Sequence, residues 1–119
     1  MSETPILKRI QIAVAKLGVK IFRNNVGTLR DERGRYVSYG LCVGSSDLIG
    51  WFPTVVTPQM VGRKVAIFIA IEIKTETGVA TFEQYQFIQA VNRDGGIGFI
   101  ARSEGEAIDK VSKGATIQS

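Results

Sequence analysis

Histidine is absent from this 119-residue chain. That excludes Ser-His-Asp triads, Cys-His pairs, His-ligated zinc and imidazole general bases, leaving carboxylates, lysines, hydroxyls and amides to carry any chemistry. A single cysteine, Cys42, makes neither an intrachain disulfide nor a zinc site, which suits a reducing cytoplasm; it is expected to be a small buried hydrophobe. No apolar run approaches the roughly 20 residues that cross a bilayer, and residues 1–5 lack a basic segment followed by an apolar one, so neither membrane insertion nor secretion is expected.

What is present is ordinary for one globular domain: 45% hydrophobic and 22% charged residues. The net charge of +4 is unevenly placed, since residues 1–35 hold eight Lys or Arg against three acids. Clustered cations suit a polyanion, nucleic acid first, although a solvated face has the same composition.

Helical spacing of Ile6, Leu7, Ile10, Val14 and Leu17 predicts a first helix from Thr4, its cap, through Pro5 to near Gly18. A β-favouring run covers residues 19–25. Basic arms around Asp31-Glu32-Arg33-Gly34 read as a hairpin, and Asp47 to Phe52 reads as a strand ended by Pro53. The strongest strand is Lys64 to Lys74, with Ile67, Ile69, Ile71 and Ile73 on one face and Phe68, Ala70, Glu72 and Lys74 on the other. So apolar a strand is expected to be central. Thr81 with Gln84 forms a capping-box pattern opening a helix that runs to Asp94; Ile97 to Ala101 is a short strand. Ser103 with Glu106 opens a last helix to about Lys113, leaving residues 114–119 as a flexible tail. The order argues one α/β domain over residues 1–113 with helices flanking a small sheet.

In Glu72-Ile73-Lys74 the strand period puts the two charged residues on one face, about 6.6 Å apart along the strand. From the strand alone, an ion pair at a strand end is the simpler reading. A hairpin-like return through the intervening loop brings Asp47 into consideration as a second carboxylate. Two carboxylates, a backbone carbonyl and waters suit Mg²⁺ or Mn²⁺, and an adjacent lysine supplies fixed positive charge, as metal-assisted phosphodiester hydrolysis requires.

Asp47 followed by Glu72-Ile73-Lys74 resembles the PD-(D/E)XK nuclease signature. The surrounding segments Arg23-Asn24-Asn25-Val26-Gly27, Tyr39-Gly40-Leu41, Gly44-Ser45-Ser46-Asp47-Leu48-Ile49-Gly50, Glu72-Ile73-Lys74-Thr75, Gln84, Gly95-Gly96 and Ala101-Arg102-Ser103 resemble the VRR-NUC family, the virus-type replication-repair nucleases, including small stand-alone phage members. The likeness spans about residues 20–110. It implies a restriction-endonuclease-like core, a mixed central β-sheet flanked by α-helices. It further implies Asp47, Glu72 and the Ile73 carbonyl as ligands of Mg²⁺ or Mn²⁺, Lys74 as the catalytic lysine that positions water and stabilises the phosphorane, and Gln84 as the residue orienting water or the scissile phosphate. Ser46 stands where the signature has proline. Arg23, Asn24, Asn25, Arg30, Arg33, Arg35 and Arg102 are candidate DNA contacts, whereas Glu76 reads as a surface charge and Trp51 and Phe52 as core or dimer interface.

The resulting expectation is a cytoplasmic, metal-dependent DNA endonuclease acting in replication or repair on branched DNA such as four-way junctions. It is expected as a homodimer, with no membrane and no nucleotide cofactor. The alternative of like chemistry is a flap or nicking nuclease without junction selectivity; those of other classes are a non-catalytic DNA-binding module and a protein-interaction domain.

Overall fold

The computed structural model describes residues 4–118. Its elements run in the order α1 (Thr4–Ala15), β1 (Lys20–Arg23), β2 (Gly27–Arg30), β3 (Tyr36–Tyr39), β4 (Leu48–Trp51), a 3₁₀ turn at Pro58–Met60, β5 (Ile69–Ile73), α2 (Phe82–Arg93), β6 (Ile97–Ala101) and α3 (Glu104–Gln118). The mixed α/β composition agrees with the sequence. The strands hydrogen-bond in three pairs, β1 with β4, β2 with β3 and β5 with β6, where one continuous mixed sheet was expected. The packing divides at Pro53 into two compact units, Met1–Pro53 and Thr54–Ser119.

In the first unit, α1 turns Leu7 inward and leaves Ile6, Ile10 and Ile12 exposed, a narrower apolar stripe than the periodicity predicts. Its end is tightened by Leu17 and Gly18 amides donating three residues back, and Gly18 takes φ 95°, which favours glycine there. The expected cap on Thr4 lies outside the described side chains. Strands β1 and β4 run antiparallel with Arg23 opposite Leu48 and Lys20 opposite Trp51. The ring of Phe22 packs on that of Trp51 at 5.5 Å between centroids. The hairpin is where the basic arms placed it, with Arg30 opposite Tyr36 and Leu29 opposite Val37.

Asp31 organises the hairpin turn. Its Oδ1 accepts from the Arg33 and Arg35 amides at 2.9 Å each, and its Oδ2 pairs with Arg35 Nε at 2.8 Å. The Arg35 backbone N–H holds the carboxyl below its ordinary value of 3.8; partial desolvation opposes this, and the Arg35 guanidinium and Arg33 N–H add to it. A depressed carboxyl pKa makes the turn's stabilisation complete above the ordinary value and removes it only as pH falls through the depressed one. Carbon-detected NMR titration of Asp31 is therefore expected to give a midpoint below 3.8, with protection of the Arg33 and Arg35 amides falling in step. A midpoint at or above that value removes the turn's role.

Cys42 is exposed, not buried as expected. It sits in the loop between β3 and β4, where Gly40 adopts φ 87° and a Cβ on it would collide with the Asn25 carbonyl and Val26. Its apolar side chains Leu41 and Val43 are exposed, while Ser45 Oγ bonds the Cys42 main chain and the Asn24 amide.

In the second unit β5 and β6 are parallel, with Ile69 opposite Ile97 and Ile73 opposite Ala101, and α2 makes the crossover that a parallel pair demands. The expected strand over 64–74 is shorter, because its partner begins only after Gly95-Gly96; the first rung is Ile97 N–H to the Phe68 carbonyl at 2.9 Å. Nor is β5 the most covered strand. Ile69, Ile71 and Ile73 are exposed, whereas Ile97, Phe99 and Ala101 of β6 form the unit's core with Ile67, Ala107 and Val111. Gly98 lets the other face of β6 approach Ile88 of α2, and the Asn92 amide bonds both the N–H and the carbonyl of Gly98 at 2.7 and 2.9 Å. Helix α3 continues to Gln118, past the expected end at Lys113. Ser103 Oγ accepts from the Glu106 amide as the motif predicts, while Glu106 Oε1 returns to Arg102 N–H, one residue earlier than a standard box. No helix among the described residues is long and apolar enough to cross a membrane.

Candidate functional site

Three of the four residues expected to carry chemistry meet at the carboxyl end of β5. Glu72 lies on the strand and Lys74 just beyond it, and both are half-buried. Lys74 Nζ stands 3.6 Å from Glu72 Oε2. Gln84, in the first turn of α2, donates from Nε2 to the same Oε2 at 3.0 Å. The crossover brings the start of α2 beside the end of β5, the position at which open α/β sheets place their sites.

The local sequence explains why Gln84 is aimed there. Thr81 caps α2 with extended backbone at φ −73° and ψ 165°, and the full capping box is formed. Thr81 Oγ1 accepts from the Gln84 amide at 3.1 Å, and Gln84 Oε1 accepts from the Thr81 amide at 2.9 Å. Capping and contact with Glu72 are thus made by the same side chain.

Both contacts to Glu72 fall on Oε2, and among the described residues no group of the chain bonds Oε1. That oxygen and the neighbouring Ile73 carbonyl are hard donors of the kind that hold Mg²⁺ or Mn²⁺. No three acidic or cysteine side chains among the described residues gather as a metal-binding group.

Asp47 belongs to the first unit, immediately before β4, with an exposed carboxylate. Its main chain is fixed by Asn24 N–H, which donates to the Asp47 carbonyl at 2.8 Å. The Asn24 side chain corrects the expectation of a DNA contact. It is the single buried polar residue among those described, and its Nδ2 donates to Ser45 Oγ at 2.7 Å and the Ser46 carbonyl at 2.9 Å. Its Oδ1 accepts from Leu41 N–H at 2.9 Å. An amide so engaged holds the loop that leads into Asp47 and has no capacity for a phosphate.

Arg102 is also engaged within the chain: its Nη1 donates to the carbonyls of Thr75 at 2.5 Å, Glu76 at 3.4 Å and Gly78 at 2.8 Å, clasping the segment that connects Lys74 to α2. It thereby ties down that connecting segment. Arg23, Asn25, Arg30, Arg33 and Arg35 are exposed; Arg30 lies over the Tyr36 ring at 5.1 Å, and Arg35 is paired to Asp31. The clamps made by Asn24 and Arg102 were missed in the sequence. The one available signal for Asn24 was its place at the end of a strand facing the glycine- and serine-rich approach to Asp47.

The VRR-NUC domain matches residues 5–105, most of the chain and all four site residues. The chain belongs to the VRR-NUC family. Comparison with curated proteins and with solved structures yields no match. Membership implies a PD-(D/E)XK-like nuclease fold and nuclease action on DNA, and the matched region of this VRR-NUC chain includes Glu72 and Lys74.

Proposed function

We propose that this VRR-NUC protein is a divalent-metal-dependent DNA endonuclease that cuts branched DNA, four-way junctions foremost, in replication or repair. The observation that carries the reading is the convergence of Lys74 and Gln84 on one oxygen of Glu72, with the other oxygen left without a partner among the described residues. Asp47, Glu72 and the Ile73 carbonyl would hold Mg²⁺ or Mn²⁺; for Asp47 the support is the order of residues in the family signature. When bound, such a cation activates water and offsets the charge that grows on the phosphate. Lys74 supplies fixed positive charge beside the scissile phosphate, and the Gln84 amide hydrogen-bonds oxygen ligands around Glu72. Exposed Arg23, Arg30 and Arg33 suit phosphate contacts that fix register on the duplex. Symmetric incision of two strands needs two copies of the site, which a C2 homodimer provides.

The test is incubation of the purified protein with end-labelled four-way junction, flap, duplex and single-stranded DNA in Mg²⁺, Mn²⁺ or EDTA. Paired cuts confined to the junction and absent in EDTA are expected. Equal cutting of all four substrates removes junction selectivity; binding without cutting in either metal leaves a non-catalytic DNA-binding module.

A further inference from the structure

The Gln84 amide has two ends of similar shape and opposite chemistry, so only one of its two orientations serves Glu72. A backbone N–H can only donate and an ionised carboxylate can only accept. The atom facing Thr81 N–H is therefore Oε1, at 2.9 Å, and the atom facing Glu72 Oε2 is Nε2, at 3.0 Å. Rotating the amide by half a turn would oppose N–H to N–H at one end and oxygen to carboxylate at the other. Both contacts are lost together.

We propose that Thr81 is a positioning residue of the nuclease site, whose capping box with Gln84 fixes that amide with its carbonyl toward the helix start and its NH₂ toward Glu72. Thr81 acts from both of its polar groups: Oγ1 holds the Gln84 main chain at 3.1 Å, and the amide N–H holds the side chain. Glu72 thereby presents Oε2 to Gln84 and Lys74, and among the described residues nothing bonds its Oε1. Among the described residues nothing in the chain takes the second Nε2 hydrogen, which is thus oriented for an oxygen entering the site. The inference rests on the nuclease reading for its catalytic meaning and on the hydrogen bonds alone for the orientation.

Thr81→Ala removes the cap acceptor, Thr81→Ser retains it, and Ser103→Ala removes a comparable cap from α3 that does not touch Gln84. Gln84→Glu keeps an acceptor for Thr81 N–H but has no donor for Glu72. Two readouts are needed: kcat and KM on the cut substrate, and the Gln84 side-chain amide signals in ¹⁵N–¹H spectra, assigned by their loss in Gln84→Glu. In Thr81→Ala, kcat is expected to fall about fivefold to tenfold with KM little changed, and the amide signals to move toward those of free glutamine. Thr81→Ser restores both, and Ser103→Ala changes neither. Unmoved amide signals in Thr81→Ala, or an equal fall of kcat in Ser103→Ala, overturns the proposal. If the wild-type chain cuts no DNA, the nuclease reading fails, and the amide signals still decide the orientation.

Discussion

Lys74→Ala is expected to slow DNA cutting by about a thousandfold while leaving the chain folded. The rate effect is that of removing a fixed charge from a site where charge develops on a phosphate, about 10²–10³ for one such group. The stability effect is small for a separate reason. Lys74 Nζ lies 3.6 Å from Glu72 Oε2, longer than a good charge-assisted hydrogen bond, and both side chains keep contact with solvent. Pairs of that kind contribute about 0–1 kcal/mol, and Gln84 still bonds Oε2 when the lysine is gone. Single-turnover cutting and urea unfolding, run on the same preparation, separate the two effects. Lys74→Arg keeps the charge in a broader, planar head and is expected to recover part of the rate. Cutting by Lys74→Ala within threefold of wild type removes Lys74 from the chemistry.

The largest expected loss of stability lies in the first unit. Asn24→Ala deletes three side-chain hydrogen bonds, to Ser45 Oγ, the Ser46 carbonyl and Leu41 N–H. Each contributes about 1 kcal/mol, and the partners left behind are partly enclosed, so the expected cost is about 3 kcal/mol, a large share of the 5–15 kcal/mol that holds a domain together. Asn24→Asp is a sharper version of the same test. It keeps an acceptor for Leu41 N–H but sets a carboxylate against the Ser46 carbonyl, and is expected to cost at least as much as alanine. Urea unfolding gives both values. A cost under about 0.5 kcal/mol for Asn24→Ala means that the loop before Asp47 is held by something else.

The two residues differ in how visible they were. Lys74 was legible because its placement is local: a two-residue period puts it beside Glu72, and the structure brings both to the end of β5 as that period requires. Gln84 was legible as the third residue of a capping box, and the side chain that closes the box also bonds Glu72. Asn24 was visible as a polar residue and misassigned, because nothing in a run of residues says whether an amide faces solvent or the inside of a loop. The clasp made by Arg102 was invisible for the same reason: its three carbonyl partners lie 24 to 27 residues away. Cys42 was judged by its residue type, and type does not report that its loop lies at the surface.

Local order was thus written in the chain itself. Helix starts, the hairpin, the alternation of β5 and the spacing of Glu72 and Lys74 depend on neighbours within a few residues, where backbone geometry alone sets direction. The family was legible for the same reason, since its signature is a set of short segments in fixed order. Only the tertiary structure decided which strand is covered: β6, short and glycine-bearing, carries the core of its unit, while the more apolar β5 leaves its isoleucine face open. Burial is set by what packs on both faces of a strand, and hydrophobicity along one strand does not contain that information. The same holds for the clamps of Asn24 and Arg102, because a hydrogen bond across a fold exists only once the fold has brought donor and acceptor together.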